Sequence, residues 1–286
     1  MKKKLVLLTI GLASMGLYAQ KIEVTNVRKL DVPLIEYPAH AKFNPEGDKI
    51  TYTSTNYTGL YLFDLTTLQQ RMLSEKKGAG YGVDFYNADI YFKEDSIANG
   101  RRYKQFKKFV AAQKIIKPIS SPQRDMKEIQ KIDESLKSKK STLSVYGENL
   151  QIIIDRNGSK EIFDPIKDNS GYIWVSLSPS EDKVLFTALS KGTFVCNLDG
   201  SELIELGNLN APSWYNKDYI IGMNDIDDGE NILTSTIVMK HLQTISEFLV
   251  SDSSQKAFYP AVSQSTGQVA YHTEKGNIYI MNIICK

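Results

Sequence analysis

The chain has few of the residues that most often carry chemistry. Two cysteines, three histidines and two tryptophans occur in 286 residues. Cys196 and Cys285 have no CxxC partner, which excludes a disulfide framework and a cysteine-based zinc site. Each stands in an apolar run, the usual setting of a small buried hydrophobe, and the two are expected to stay unpaired. His40, His241 and His272 show no ligand spacing of the HExxH kind. GxSxG, P-loop and GxGxxG signatures are missing as well. Beyond residue 19 no run approaches the roughly 20 apolar residues that a membrane-spanning helix needs, so a polytopic helical membrane protein is excluded. Basic and acidic side chains nearly balance, 35 against 33, with 42% hydrophobic and 24% charged residues. That composition belongs to an ordinary folded chain, not to collagen, a coiled coil or a disordered segment.

What is present begins with an export signal. Lys2, Lys3 and Lys4 precede an apolar stretch from Leu5 to Met15, the arrangement of a positive n-region and an h-region. Cleavage after Ala19 is expected, and it leaves 32 basic against 33 acidic side chains, a nearly neutral mature chain. Asn56-Tyr57-Thr58 and Asn157-Gly158-Ser159 fit the N-glycosylation pattern, but so short a pattern beside a bacterial-looking signal is given no weight.

One phrase recurs through the rest: an apolar strand, then Asn or Ser with a proline or turn, then a charged turn and an alternating apolar strand. Phe43-Asn44-Pro45-Glu46-Gly47-Asp48-Lys49-Ile50 matches Leu177-Ser178-Pro179-Ser180-Glu181-Asp182-Lys183-Val184, and a third copy centres on Val262-Ser263. Weaker copies run through Trp214-Tyr215-Asn216 and Phe85-Tyr86-Asn87. Asn44 and Ser263 lie 219 residues apart, five periods of about 44, the spacing of four-stranded propeller blades. The expected fold is all-β, a six-bladed β-propeller occupying residues 20–286, with five blades as the alternative count. No residues remain after the third strand of the last blade, so the alternating segment 21–30 is expected to supply the fourth strand and close the ring. The third blade must come from residues 143–146, 149–155 and 160–163, with Asn157-Gly158 as a hairpin turn, and it looks abbreviated.

The phrase resembles the TolB-type, WD40-like propeller repeat, over most of residues 20–284. The first copy keeps Pro45, Gly47 and Lys49 of that repeat, and the second lacks its glycine. The resemblance implies a periplasmic propeller that docks peptides or proteins on one rim. The whole chain also looks like an exported propeller family of Bacteroides-like bacteria. Similarity to the propeller part of prolyl oligopeptidases implies no peptidase, since no hydrolase domain accompanies the repeats.

Propeller topology is expected to bring His40, Tyr81, Asp84, Trp174, Trp214 and Tyr259 to the mouth of the central channel as binding residues. The competing reading is that Trp174, Trp214 and Tyr259 fill space between blades. Asp225, Asp227 and Asp228 are the candidate calcium ligands, against a solvated turn at Asp228-Gly229. Residues 100–140 hold thirteen Lys/Arg and four Asp/Glu and are expected to form a basic insertion between blades 2 and 3. Within it residues 101–111 lean toward strand, and Ser121-Pro122 starts a short helix with Met126, Ile129, Ile132 and Leu136 on one face. Its Lys107, Lys108 and Lys114 would dock an acidic envelope protein or polymer rather than nucleic acid, unless the segment is merely a solvated loop. Together these features point to a monomeric, non-catalytic binding scaffold of the periplasm or cell surface. An enzyme, or a sugar- or metal-binding module with its site at the channel mouth, is the alternative.

Overall fold

Each copy of the repeated phrase closes a hairpin, and the residue that opens the phrase does the closing. In the computed structural model, which describes residues 21–33, 35–119, 142–168 and 170–286, Asn44 Oδ1 accepts the Lys49 N–H at 2.8 Å while Asn44 Nδ2 donates to Asp48 at 2.7 Å. Ser178 Oγ accepts the N–H groups of Asp182 and Lys183 at 3.1 and 3.0 Å, and Ser263 Oγ accepts that of Thr266 at 3.3 Å. All three side chains are buried. A buried polar group must find partners, so the position takes a short acceptor that can reach its own turn, which is why it reads Asn or Ser. Where the second copy lacks the glycine, Glu181 adopts φ 59° in the place of Gly47 at 75°.

The strands assemble into six antiparallel sheets. Strand β1 (Ile22–Lys29) opens the chain. Blade 1 is β2 (Pro38–Phe43), β3 (Lys49–Ser54), β4 (Thr58–Asp64) and β5 (Gln70–Lys77); blade 2 is β6 (Asp84–Tyr86), β7 (Asp89–Ala98), β8 (Arg101–Val110) and β9 (Ile115–Pro118). Blade 3 has three strands, β10 (Leu143–Glu148), β11 (Gln151–Arg156) and β12 (Ser159–Phe163). Blade 4 is β13 (Tyr172–Leu177), β14 (Lys183–Ala188), β15 (Gly192–Asn197) and β16 (Ile204–Gly207). Blade 5 is β17 (Asn210–Trp214), β18 (Tyr219–Asp227), β19 (Ile232–His241) and β20 (Glu247–Leu249). Blade 6 is β21 (Ala257–Val262), β22 (Gln268–Thr273) and β23 (Ile278–Cys285), completed by β1 in the order β1-β23-β22-β21. The fold is therefore a six-bladed β-propeller, and the first strand closes the ring as the alternation of residues 21–30 predicts. Ile22 pairs with Cys285 and Lys29 with Tyr279, and the chain ends exchange backbone hydrogen bonds between Lys21 and Lys286. Blade 3 is abbreviated as expected, and the five-blade count is set aside by the six sheets.

One boundary is corrected. The first half of the basic segment is not an insertion: residues 101–110 and 115–118 are the third and fourth strands of blade 2. Tyr103, Phe106 and Phe109 recur every third residue among the cations, so they fall on both faces of the strand: Tyr103 is exposed, and Phe109 is buried between blades 1 and 2. The helix expected from Ser121 and the signal segment 1–19 lie outside the described residues.

The core is distributed between blades rather than gathered at the centre. Phe43, Ile50, Tyr52 and Phe63 of blade 1 pack on Ala270, Ile278 and Ile280 of blade 6, and Met223, Ile237 and Met239 of blade 5 pack on Val269 and Met281. Comparable clusters join blades 3 and 4, blades 4 and 5, and blades 1 and 2. Alternate residues of each strand face the two neighbouring sheets, so most inner strands are buried on both sides, as β3 and β14 show. Cys196 belongs to the blade 3–4 cluster and Cys285 is exposed, and both are free thiols.

Candidate functional site at the channel mouth

The innermost strands of four blades carry the same irregularity. In β2 the register shifts between Ala39 and Lys42, in β13 between Ile173 and Ser176, in β17 between Asn210 and Ser213, and in β21 between Phe258 and Ala261. Each shift sets two residues against one on the partner strand, a β-bulge. The first residue of every bulge has a left-handed backbone: His40 at φ 52°, Trp174 at 49°, Ala211 at 44° and Tyr259 at 49°. Gly82, at φ 68° just before β6, stands at the same point of blade 2. Left-handed backbone is cheap for glycine and costs about 1–2 kcal/mol for other residues. Three large rings nevertheless occupy the position: Trp174 and Tyr259 are exposed, and His40 is half-buried.

Three of the four bulge residues, His40, Ala211 and Tyr259, meet Gly82 in one cavity of about 330 Å³ that Tyr57 and Tyr81 also line. His40 stacks on Tyr57 at 4.3 Å between ring centroids and lies 4.8 Å from Tyr259 and 5.2 Å from His272. Tyr57 meets Tyr81 edge to face at 5.3 Å, and Tyr259 stacks on His272 at 5.7 Å. Tyr81 sits in a loop whose Gly80 lies against Thr53 so closely that a Cβ there would come within 2.2 Å of it. The ammonium of Lys93 stands over the Tyr81 ring at 5.1 Å, a cation–π contact. On the inner wall Lys42 of β2 donates to Asp84 of β6 at 2.8 Å and to the Val83 carbonyl at 2.5 Å.

The cluster is electrically neutral around its histidines. Burial holds the His40 imidazole below its ordinary range, against an opposing contact with the Thr55 carbonyl. Burial, with His40 beside it, pushes His272 down to about 3; its Nδ1 accepts the His40 backbone N–H at 3.4 Å. The Tyr57 hydroxyl is pushed up by burial and by its tyrosine neighbours. Neither imidazole has a carboxylate partner among the described residues. What the mouth offers is ring faces and edges, suited to binding a ring or apolar group.

The structure thus brings together His40, Tyr81 and Tyr259 of the six expected mouth residues, with Asp84 on the wall below. Trp174 is exposed at the equivalent bulge of blade 4 but does not line the cavity. Trp214 is corrected: it is buried between blades 4 and 5 among Leu185, Leu206 and Ile220, with its Nε1 3.5 Å from the Ser176 carbonyl. It occupies the position of Phe43 in the repeat, three residues past the bulge, and so points into the core. Tyr57 and His272 were not expected. Tyr57 lies in the β3–β4 turn, outside the repeated phrase, and His272 lies in a second strand whose alternation reads as core.

The candidate calcium ligands do not converge. Asp225 is nearly buried in β18 and accepts from Asn210 Nδ2 at 2.8 Å, whereas Asp227 accepts the Gly229 N–H and Asp228 those of Glu230 and Asn231. Among the described residues no three His, Cys, Asp or Glu side chains are grouped to hold a metal ion, and the acidic run is a hairpin turn closed by its own carboxylates. Of the three candidate lysines, Lys107 pairs with Glu94 at 3.5 Å and Lys108 with Asp89 at 2.7 Å, inside blade 2. Lys114 is exposed in the β8–β9 turn.

No family model and no curated protein matches the chain. Among solved structures it is similar to the β-propeller domain of Cps50 (Swd1) from Myceliophteria thermophila, at 10% identity and a TM-score of 0.49 over 92% of this chain and 99% of that one. It is similar to an oligogalacturonate lyase from Vibrio parahaemolyticus, at 10% identity and 0.48 over 92% and 96%. A streptogramin B lyase follows at 13% identity and 0.43 over 91% and 98%. The fold rests on the six sheets and their closure by β1, and the function on the site's own geometry.

Proposed function

We propose that this propeller is a non-catalytic binding module that works outside the cytoplasm and holds an envelope partner by inserting one of the partner's ring-bearing or apolar groups into the aromatic mouth. The observation that carries the reading is the row of bulges. Left-handed backbone is retained at His40 and Tyr259 although glycine would serve the fold better, and strain of this kind accumulates where a side chain must be aimed at a ligand. The neutral histidines and the lack of a carboxylate beside either favour binding over catalysis. The TolB-type phrase and the export-type N-terminus support the placement in the envelope.

The test is site-specific photocrosslinking of the mature chain in its native envelope fraction, with the reactive group at position 81 of the mouth or at the exposed position 162 of blade 3. One discrete adduct from position 81, absent from position 162 and at least tenfold weaker when Tyr259 is changed to Ala, is the expected result. Equal labelling from both positions, or labelling untouched by Tyr259→Ala, would refute the reading.

A further inference from the structure

A second and larger cavity, about 690 Å³, opens between blades 1 and 2 on the face that carries the hairpin turns, away from the aromatic mouth. Its size falls in the range of small-molecule sites. Leu62, Phe85, Ile90 and Phe109 give it an apolar floor. At one end the Arg71 guanidinium stands over the Phe109 ring, 5.2 Å from its centroid, and donates through Nη2 to the Lys114 carbonyl at 2.7 Å. Neither Arg71 nor Lys114 has a carboxylate partner among the described residues. Both residues line the cavity.

The acidic side chains of the opposite lip are already engaged. Lys49 lies between Asp48 at 2.5 Å and Asp64 at 3.6 Å, and Glu46 accepts from Asn44 Nδ2 at 2.8 Å. Asp64 also caps its own turn through the N–H groups of Thr66 and Thr67. The three carboxylates and three cations of the lining cancel overall, but they are segregated, and the two cations without carboxylate partners belong to the Phe109 end, beside the hydrocarbon floor. A planar guanidinium held by a ring and a backbone carbonyl keeps its remaining N–H groups aligned for a two-point contact with a carboxylate.

We infer that this inter-blade cavity is a second binding site, distinct from the mouth, for a small amphipathic carboxylate: a carboxylate on Arg71 and Lys114 with an aliphatic or aromatic body over Leu62, Phe85 and Ile90. The site forms between two blades of the ring, so its occupant would tie blade 1 to blade 2.

The test uses the mature chain and three matched probes, octanoate, octanol and octylamine, titrated calorimetrically at neutral pH and followed by methyl NMR. Octanoate is expected to bind at least tenfold more tightly than either analogue and to shift the methyl signals of Leu62 and Ile90. The double variant Arg71→Gln, Lys114→Gln changes two exposed side chains and is expected to keep the melting temperature while losing the preference for octanoate. Tyr81→Ala, at the mouth, is expected to leave octanoate binding unchanged, so failure of the mouth reading and failure of this site are told apart. Equal binding of octanol or octylamine, a preference that survives the double variant, or shifts confined to the mouth would each overturn the assignment.

Discussion

Two places in the ring contrast sharply, the seam where blade 6 meets blade 1 and the side formed by blades 2 and 3. At the seam β1 pairs along β23, Lys286 reaches Glu23 at 2.5 Å, and a buried cluster crosses from Phe43 and Tyr52 to Ile278 and Ile280. The mouth lies here too, with the His40 N–H on His272 joining the two blades. On the other side blade 3 has three strands, β12 is exposed along most of its length, and among the described residues no buried cluster joins blade 2 to blade 3. Blade 2 instead uses cross-strand ion pairs within its own sheet, Lys107 with Glu94 and Lys108 with Asp89. The chain's two ends are thus fastened more thoroughly than its middle, and the binding geometry sits on the fastened part.

The strongest way to break that comparison is to remove residues 21–30 from the mature chain. The edge of β23 is then open and Leu30 is lost from the core, and cooperative thermal unfolding is expected to disappear, recoverable by adding the 21–30 peptide in trans. A melting curve within a few degrees of the full chain would place the ring's main fastening elsewhere. Next in size is charge reversal in blade 2. Lys107→Glu would set a second carboxylate against Glu94, which is nearly buried and also accepts from Ser74 Oγ at 2.7 Å, and the expected loss is about 1.5–3 kcal/mol in chemical denaturation. Lys114→Glu, in an exposed turn, is expected to stay within about 0.5 kcal/mol. Reversal of Lys107 and Lys108 therefore tests the blade before it tests any partner.

The seam also has an acid sensitivity of its own. His272 binds its proton near pH 3 in the fold, against an ordinary value of 6.5. The unfolded chain takes up that proton first, so the stability is complete above about pH 6.5 and declines as the pH falls toward 3, with a slope approaching about 1.4 kcal/mol per pH unit. His40 is lowered as well and acts in the same sense. His272→Asn, which can still accept the His40 N–H, is expected to flatten the acid limb of stability against pH; an unchanged limb would assign it to carboxylates instead.

Much of the ring was legible because its turns repeat a chemical requirement. A buried Asn or Ser closing its own hairpin leaves a signature at Asn44, Ser178 and Ser263, and the spacing of these positions counts the blades. The closing strand was legible from its alternation together with the missing fourth strand of the last blade. The bulges were not, because the usual sign of a left-handed bulge is glycine, and only Gly82 supplies it while His40, Trp174 and Tyr259 conceal it. Hence the mouth was half legible: His40, Tyr81 and Tyr259 follow from position in the blade, whereas Tyr57 and His272 join through tertiary packing. For Trp214 the competing reading, a side chain filling the space between blades, is the one that holds, and the repeat itself aligns it with Phe43, a core position. The basic segment misled because its charge density was read as an insertion between blades, although residues 101–111 already leaned toward strand, and β8 pairs part of that charge with acids of β7.

The smallest expected effect sharpens the comparison from blade 3. Its first hairpin turns through Asn149 and Leu150, both left-handed at φ 51° and 61°, the backbone of a two-residue turn that favours Asn-Gly. Leucine is a poor occupant, since its Cβ crowds the following carbonyl, and the side chain is 53% exposed and so gains little by burial. The backbone contact that matters, from the Tyr172 N–H to the Leu150 carbonyl at 2.8 Å, survives any side-chain change. Leu150→Gly is therefore expected to stabilise the protein by about 0.5–1 kcal/mol, the opposite sign to most glycine substitutions. The same change at Tyr259, where the left-handed ring lines the mouth, would relieve similar strain and abolish partner binding. If Leu150→Gly instead destabilised the chain, the Leu150 side chain would be holding blade 3 against Gly171 and Leu189, and the weak side of the ring would be better packed than its exposure indicates.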